Sequence, residues 1–167
     1  ELYKEIKDKF STDSLLNSLS YSIANAYTNS KDFKKAIEFY DKIYSVDTTN
    51  NSIKLQIADL YKQSGNKKKA LSIYNNVIKK DSSMTNAYIE AGIIYYEDLS
   101  NRDKAKQYFN TAYERELKNT GNSPYNFKLY YYLCKIAISE NRKMDAIFTY
   151  LEMKQIYSAT VDESKQK

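Results

Sequence analysis

Residues 23–40 read IANAYTNSKDFKKAIEFY, and residues 57–74 read IADLYKQSGNKKKALSIY. The two stretches carry an isoleucine–alanine pair, a tyrosine, an alanine and a second tyrosine at the same relative places, offset by 34 residues. Repetition with this period is typical of solenoids, in which each unit buries its apolar face only against its neighbours. The chain is therefore predicted to be a stack of similar units.

The apolar residues within each stretch recur at helical spacing, and short polar segments separate them. Residues 28–32 and 63–66 are the first two of these breaks. Connections this short make consecutive helices antiparallel neighbours. Three glycines and one proline in 167 residues leave little material for β-turns, so an all-α fold is favoured over a sandwich or a barrel.

These residues resemble the tetratricopeptide repeat, a 34-residue helix pair with the signature W-x2-L-G-x2-Y, then A-x3-F, then P. Placing Ala36 and Ala70 at repeat position 20 fixes the numbering used below. The third repeat has one extra residue in the turn 97–101, and the fourth has Ala137 where tyrosine is usual. The resemblance implies an all-α, right-handed superhelical solenoid of antiparallel helix pairs. Its four repeats would span residues 17–50, 51–84, 85–119 and 127–160.

The other segments are expected to belong to the same single solenoid domain, which would span residues 1–167. Residues 1–16 resemble the second helix of a truncated preceding repeat, because their apolar residues share one helix face. Residues 120–126 form an inserted loop that contains the only proline, and residues 161–167 form a tail. Since the chain begins with Glu1 and not Met, we expect it to be an excised or processed fragment.

The resemblance also implies a partner-binding groove, because the first helix of each pair in tetratricopeptide arrays lines the concave face. Exposed aliphatic and aromatic side chains grouped on one surface usually contact a partner. We therefore expect a peptide or a helix in this groove, with Tyr96 and Tyr131 as anchors. The alternative is that the loop 118–126, a tail or a second copy covers it. The groove candidates are Tyr21, Asn25, Leu55, Asp59, Ile89, Ile93, Tyr96, Lys128, Tyr131, Lys135 and Ile138.

Basic residues also repeat in phase, at the turn between the two helices or at the start of the second helix. Cations are mildly unfavourable at a helix N-terminus, so another reason must keep them there. A solvated edge that keeps the solenoid soluble is the simpler interpretation. Contact with an anionic partner is the alternative. This predicted basic ridge consists of Lys34, Lys35, Lys67, Lys68, Lys69, Arg102, Arg142 and Lys143.

Catalytic and metal chemistry find little support in the composition. The chain has no histidine and one cysteine, Cys134, which excludes the commonest general base and zinc sites of ordinary composition. Its three glycines stand apart, so it contains no glycine-rich phosphate loop. We expect no enzymatic activity, no cofactor and no metal, and we expect Cys134 to be a buried packing residue.

The sequence thus predicts a non-catalytic scaffold or adaptor that binds a protein or peptide partner. The net charge of +5 is too modest to indicate nucleic acid, and no apolar run approaches the ~20 residues of a membrane helix. We expect no small-molecule substrate. A homodimer or self-assembly module, or a regulatory domain of a larger protein, are the alternatives. The composition weakly favours a bacterial, envelope-associated (periplasmic) protein, with a cytoplasmic one as the alternative.

Overall fold

The structure is a computed structural model, and it describes residues 13–118 and 127–165, with side chains over 16–118 and 127–154. Every regular element in these ranges is an α-helix, which confirms the predicted all-α fold. The helices are α1 Asp13–Asn29, α2 Phe33–Val46, α3 Asn51–Gln63, α4 Lys67–Lys80, α5 Thr85–Glu97, α6 Arg102–Lys118, α7 Phe127–Ser139 and α8 Lys143–Lys165.

The chain divides into two compact units, residues 1–81 and 82–167. In the first unit α1 pairs with α2 and α3 with α4, and α2 also packs on α3. In the second unit α5 pairs with α6 and α7 with α8, and α6 also packs on α7. One of these helix pairs lies largely within each predicted repeat, whose exact bounds stay a prediction. Most of the expected truncated repeat, at residues 1–12, and the inserted loop fall outside the described residues, and α8 ends at Lys165, within the predicted tail.

The second helix of the first three repeats begins at the same kind of cap. The side-chain oxygens of Asp32, Asn66 and Asn101 each accept a hydrogen bond from the backbone N–H three residues later, at 3.3, 3.3 and 3.0 Å. Such a cap satisfies one of the N–H groups that the first turn of a helix leaves without a partner. The fourth repeat has Arg142 at the equivalent place, and its guanidinium pairs instead with Glu140 and Asp145.

The residue before each cap has a left-handed backbone, which reverses the chain direction between the paired helices. Lys31, Gly65, Ser100 and Asn141 have φ values of 61°, 86°, 48° and 57°. The third turn comprises residues 98–101, one more than the other turns, so the predicted extra residue lies where the sequence placed it. Only the second repeat uses glycine, the residue that adopts this conformation without steric cost.

Replacing Gly65 with alanine should therefore lower the free energy of unfolding by about 1 kcal/mol, because a Cβ strains a left-handed backbone. An added Cβ would meet no atom within 4 Å, so the loss would come from backbone conformation and not from a clash. Urea unfolding checks this, with Lys31→Gly as the counterpart that should gain stability. A Gly65→Ala variant at least as stable as the wild type would contradict it.

Small residues bring the paired helices close together. Ala36, Ala70 and Ala105 at position 20 are fully buried, and Ala146 is nearly so. The third repeat has Gly92 at position 8, and a Cβ added there would lie 2.7 Å from Cε1 of Phe109. The burial of these residues fits the repeat phase deduced from the sequence, since close helix contacts require small side chains.

Candidate protein-binding surface

Two of the predicted groove residues lie in the core of the second unit. Ile89 is fully buried and Ile93 is 8% exposed. Both belong to one apolar cluster with Leu129, Tyr132 and Ile136 of α7, which close over this face of α5. The expectation that these isoleucines form part of an exposed groove is therefore wrong, because the next repeat's helix removes them from solvent.

Two further predicted groove residues of the second unit, Tyr96 and Tyr131, lie around the Lys135 side chain. Its Nζ lies 5.1 Å from the ring centroid of Tyr96, 5.2 Å from that of Tyr131 and 5.5 Å from that of Tyr132. The negative faces of aromatic rings attract a cation at such distances. We call these four residues the tyrosine–lysine cluster. Tyr131 is 51% exposed, and Ile138 on the same helix is 64% exposed.

Tyr132 joins this cluster to the core and was not among the predicted residues. Its ring stacks on Phe109 with centroids 5.3 Å apart, and its hydroxyl donates a hydrogen bond to Glu97. Burial, and then the neighbouring Glu97 carboxylate, raise the pKa of Tyr132 well above its usual range, so the hydroxyl stays protonated. Repeat position 6 carries no signature residue, which is why the family pattern gave no reason to select it.

Lys128, another predicted groove residue, is engaged within the second unit. Its Nζ lies 2.8 Å from Oε1 of Glu90, whose side chain is largely buried. The pair links the first turn of α7 to α5, and Coulomb attraction in this partly buried place opposes moving either charge away. The Lys128 ammonium is therefore less available than that of Lys135 to bind an anionic group of a partner, since the Glu90 carboxylate already lies beside it.

The predicted groove residues of the first unit have roles within their own helix pairs. Asn25 Oδ1 accepts a hydrogen bond from the Tyr40 hydroxyl at 2.7 Å, and Asp59 accepts one from the Tyr74 hydroxyl. The third repeat has Ile93 and Phe109 at these two positions, so the acceptor and the hydroxyl are lost together. This paired change indicates that the polar residues serve the buried tyrosines.

Tyr21 and Leu55 complete the first unit's candidates. Tyr21 is exposed, with its ring edge-on to that of Tyr40 at 5.6 Å, and Leu55 is half-buried. Of these two side chains, Tyr21 is therefore the more exposed. The second unit presents the denser group of exposed apolar side chains.

Two residues of the basic ridge, Lys35 and Lys69, have an intramolecular explanation that the third repeat shares through Lys104 at the same repeat position. Lys35, Lys69 and Lys104 place their Nζ 5.1, 4.5 and 5.3 Å from the ring centroids of Tyr27, Tyr61 and Tyr95, each within its own repeat. These cation–ring contacts offset the unfavourable position of a cation at a helix start. The fourth repeat has Ala137 and Asp145 at the two positions, so the ring and the cation disappear together.

The other ridge residues are exposed. Arg142 pairs with Glu140 at 2.7 Å and with Asp145 at 2.6 Å. The starts of α2, α4, α6 and α8 carry the remaining ridge residues, Lys34, Lys67, Lys68, Arg102 and Lys143.

Few groups with reactive chemistry occur in the described part of the chain. Cys134 is half-buried rather than buried, and its Sγ lies 3.6 Å from the Ala146 carbonyl oxygen. Within residues 13–118 and 127–165 the structure has no group of three or more side chains suited to hold a metal ion. None of the helices in these ranges is long and apolar enough to cross a membrane.

Solved structures with the same arrangement of helices are numerous. MamA aligns over 96% of this chain and 87% of its own, with 14% identity and a TM-score of 0.70. BtubC of P. vanneervenii aligns over 95% and 72%, with 19% identity and a TM-score of 0.72. The first such domain of Spaghetti (RPAP3), solved bound to the HSP90 peptide SRMEEVD, aligns over 78% and 97%, with 24% identity and a TM-score of 0.62.

Sequence comparison agrees with these structures. No curated protein sequence matches the chain. Two family models described as tetratricopeptide repeat do match it, one at residues 18–50 and 85–119 and the other at 54–83, close to the first three repeats deduced above. The chain therefore belongs to the tetratricopeptide repeat family, whose all-α solenoids generally serve as non-catalytic scaffolds for protein interactions.

Proposed function

We propose that the second unit binds a segment of a partner protein at the surface formed by the tyrosine–lysine cluster and Ile138. The preferred segment has an acidic residue beside a large apolar one. The observation that carries this proposal is the position of Lys135, whose ammonium lies between three tyrosine rings next to exposed apolar side chains.

The rings prepare Lys135 for an anion without neutralising it. An aromatic face contributes about 0.5–1 kcal/mol of attraction at an exposed site but brings no negative charge of its own. The rings thereby restrict the Lys135 side chain before a partner arrives. Binding a carboxylate would then cost less side-chain entropy than it would at a mobile lysine. Lys128, by comparison, already has the Glu90 carboxylate at 2.8 Å.

Tyr131 and Ile138 supply the apolar part of the surface. Both are more than half exposed on α7, and they lie seven residues apart, on one face of the helix. Large aromatic residues are enriched among those that contribute most to binding energy. The Spaghetti domain with its SRMEEVD peptide illustrates that this fold accommodates a short acidic segment in that protein.

Selection from a random peptide library on the purified protein tests the proposal. We expect the wild type to enrich peptides that combine Asp or Glu with Leu, Ile or Phe. Lys135→Glu should reverse the charge preference toward Lys and Arg, because the central charge changes sign. Tyr131→Ala should weaken the binding of a selected peptide by at least about tenfold, as expected for a contact worth more than 1 kcal/mol.

Lys68→Glu is the matched control, since Lys68 is an exposed lysine on α4 in the first unit. It changes the net charge by the same amount and should leave the selected peptides unchanged. Selection of the same peptides by wild type and Lys135→Glu would overturn the proposal. Circular dichroism melting should show that all three variants remain folded.

A further inference from the structure

The last described helix, α8, presents an apolar stripe to solvent. Met144, Ile147, Phe148 and Leu151 follow the spacing i, i+3, i+4, i+7, which places them on one helix face. Together with the flanking Tyr150 they are between 49% and 60% exposed. The buried Ala146 lies on the side of α8 that meets the rest of the unit. The helix is thus apolar on much more of its circumference than packing against its own repeat requires.

Three of the four stripe positions carry polar residues in each of the other repeats. Met144, Phe148 and Leu151 occupy repeat positions 18, 22 and 25 under the numbering that places Ala36 at position 20. An outward helix face in water normally carries polar side chains. The change in the fourth repeat affects all three positions at once. Their equivalents are Lys34, Glu38 and Asp41 in the first repeat, Lys68, Ser72 and Asn75 in the second, and Asp103, Gln107 and Asn110 in the third.

A following repeat would cover only part of this face. In the first unit α3 packs on α2, where Ile37 and Tyr40 are buried while Glu38 and Asp41 stay exposed. In the second unit α7 packs on α6 with the same outcome, since Phe109 is buried while Gln107 and Asn110 stay exposed. One more stacked helix would therefore cover Ile147 and Tyr150 but leave Met144, Phe148 and Leu151 in water.

We propose that the occupant of this stripe is a second copy of the chain, whose α8 packs antiparallel to the first about a two-fold axis near Ile147 and Phe148. A two-fold interface brings one patch onto itself, and the i, i+3, i+4, i+7 stripe is complementary to its own reverse. Met144 of each copy would then meet Leu151 of the other. The proposal is independent of the peptide surface on α7.

The available area and charge fit such a pair. Half-exposed side chains of this size each expose on the order of 100 Å² to solvent. Pairing two stripes with their flanking tyrosines would therefore remove roughly 1,000 Å² from water, which is at the lower end of the range for a specific interface. The charged residues around the stripe have both signs, so two copies brought together would not repel strongly. These residues are Lys143, Asp145, Glu152 and Lys154.

Sedimentation velocity over a range of protein concentrations tests the association. We expect the wild type to form a reversible dimer. The variant Phe148→Gln/Leu151→Asn restores the residues that the third repeat has at these positions, Gln107 and Asn110. It should weaken self-association by at least about tenfold, because central apolar residues dominate interface energies. Val46→Asn, which changes an equally exposed residue in the first unit, should not.

Disulfide trapping tests the arrangement. In a Cys134→Ser background, Met144→Cys mixed with Leu151→Cys should yield the 144–151 mixed disulfide in preference to either symmetric one. A wild type that stays monomeric at its highest soluble concentration would overturn the proposal. So would a dimer that survives Phe148→Gln/Leu151→Asn, or a trapped product in which each residue pairs with its own equivalent.

Discussion

Phe109→Ala should lower the free energy of unfolding by about 3–5 kcal/mol, the usual cost of removing a buried aromatic ring. The ring is fully buried, and it stacks on Tyr132 with centroids 5.3 Å apart. Its removal would leave a cavity between α5, α6 and α7 that backbone movement could fill only in part. Urea unfolding followed by circular dichroism measures the loss, and amide hydrogen exchange should locate it in the second unit.

A substitution at Gly92 tests the contact between α5 and the Phe109 ring from the α5 side. Gly92→Ala should cost about 1–3 kcal/mol by overpacking, although alanine is the better helix former by about 1 kcal/mol. In a Phe109→Leu background the cost should shrink, because the smaller side chain frees the space that the new methyl group needs. If the costs of Gly92→Ala and Phe109→Leu simply add, the packing described for this pair is wrong.

Ile89→Asp should unfold the second unit, with a loss of at least about 4 kcal/mol, since a buried carboxylate without a partner is among the costliest changes. Ile138→Asp is the matched control. Both isoleucines belong to the predicted groove, but Ile138 is 64% exposed whereas Ile89 is fully buried. We expect the control to change stability by no more than about 0.5 kcal/mol. Thermal melting and hydrogen exchange distinguish the two outcomes.

The stability of the Ile89→Asp variant should also depend on pH in a defined direction. Burial raises the pKa of a carboxyl group above its unfolded value of about 3.9. The carboxyl group introduced by Ile89→Asp would therefore be tolerated best below about pH 4 and would cost increasing stability as the pH rises. An Ile89→Asp variant as stable as Ile138→Asp at neutral pH would show that α7 does not close over α5 as described.

Repeat phase allowed the helix pairs, the turn with one extra residue and the buried alanines to be predicted. These features follow from local spacing, because helical periodicity and the size of the residue at each contact appear directly in the sequence. Phase alone misplaced Ile89 and Ile93. A residue's angular position on its own helix does not tell whether the next helix covers it, and here the α7 side chains do.

The candidate sites show the same division. The comparison of equivalent positions can reveal paired changes, such as the loss of tyrosine and lysine together at Ala137 and Asp145, and the apolar replacements on α8. The repeat signature has no defined residue at position 6, so it did not indicate Tyr132. The convergence of three rings on Lys135 depends on side chains from both α5 and α7. Tyr96 and Tyr131, for example, are 35 residues apart in the sequence.

The sequence by itself determined the family, the helix pairs and the residues at their contacts, because each of these depends on spacing within about 34 residues. Only the tertiary structure decided which apolar residues are buried and which remain exposed. Burial depends on the neighbouring helices that reach each face: α7 buries Ile89 and Ile93, whereas no described part of the chain covers Met144, Phe148 and Leu151. Exposure is thus a property of the packed assembly and not of any single repeat.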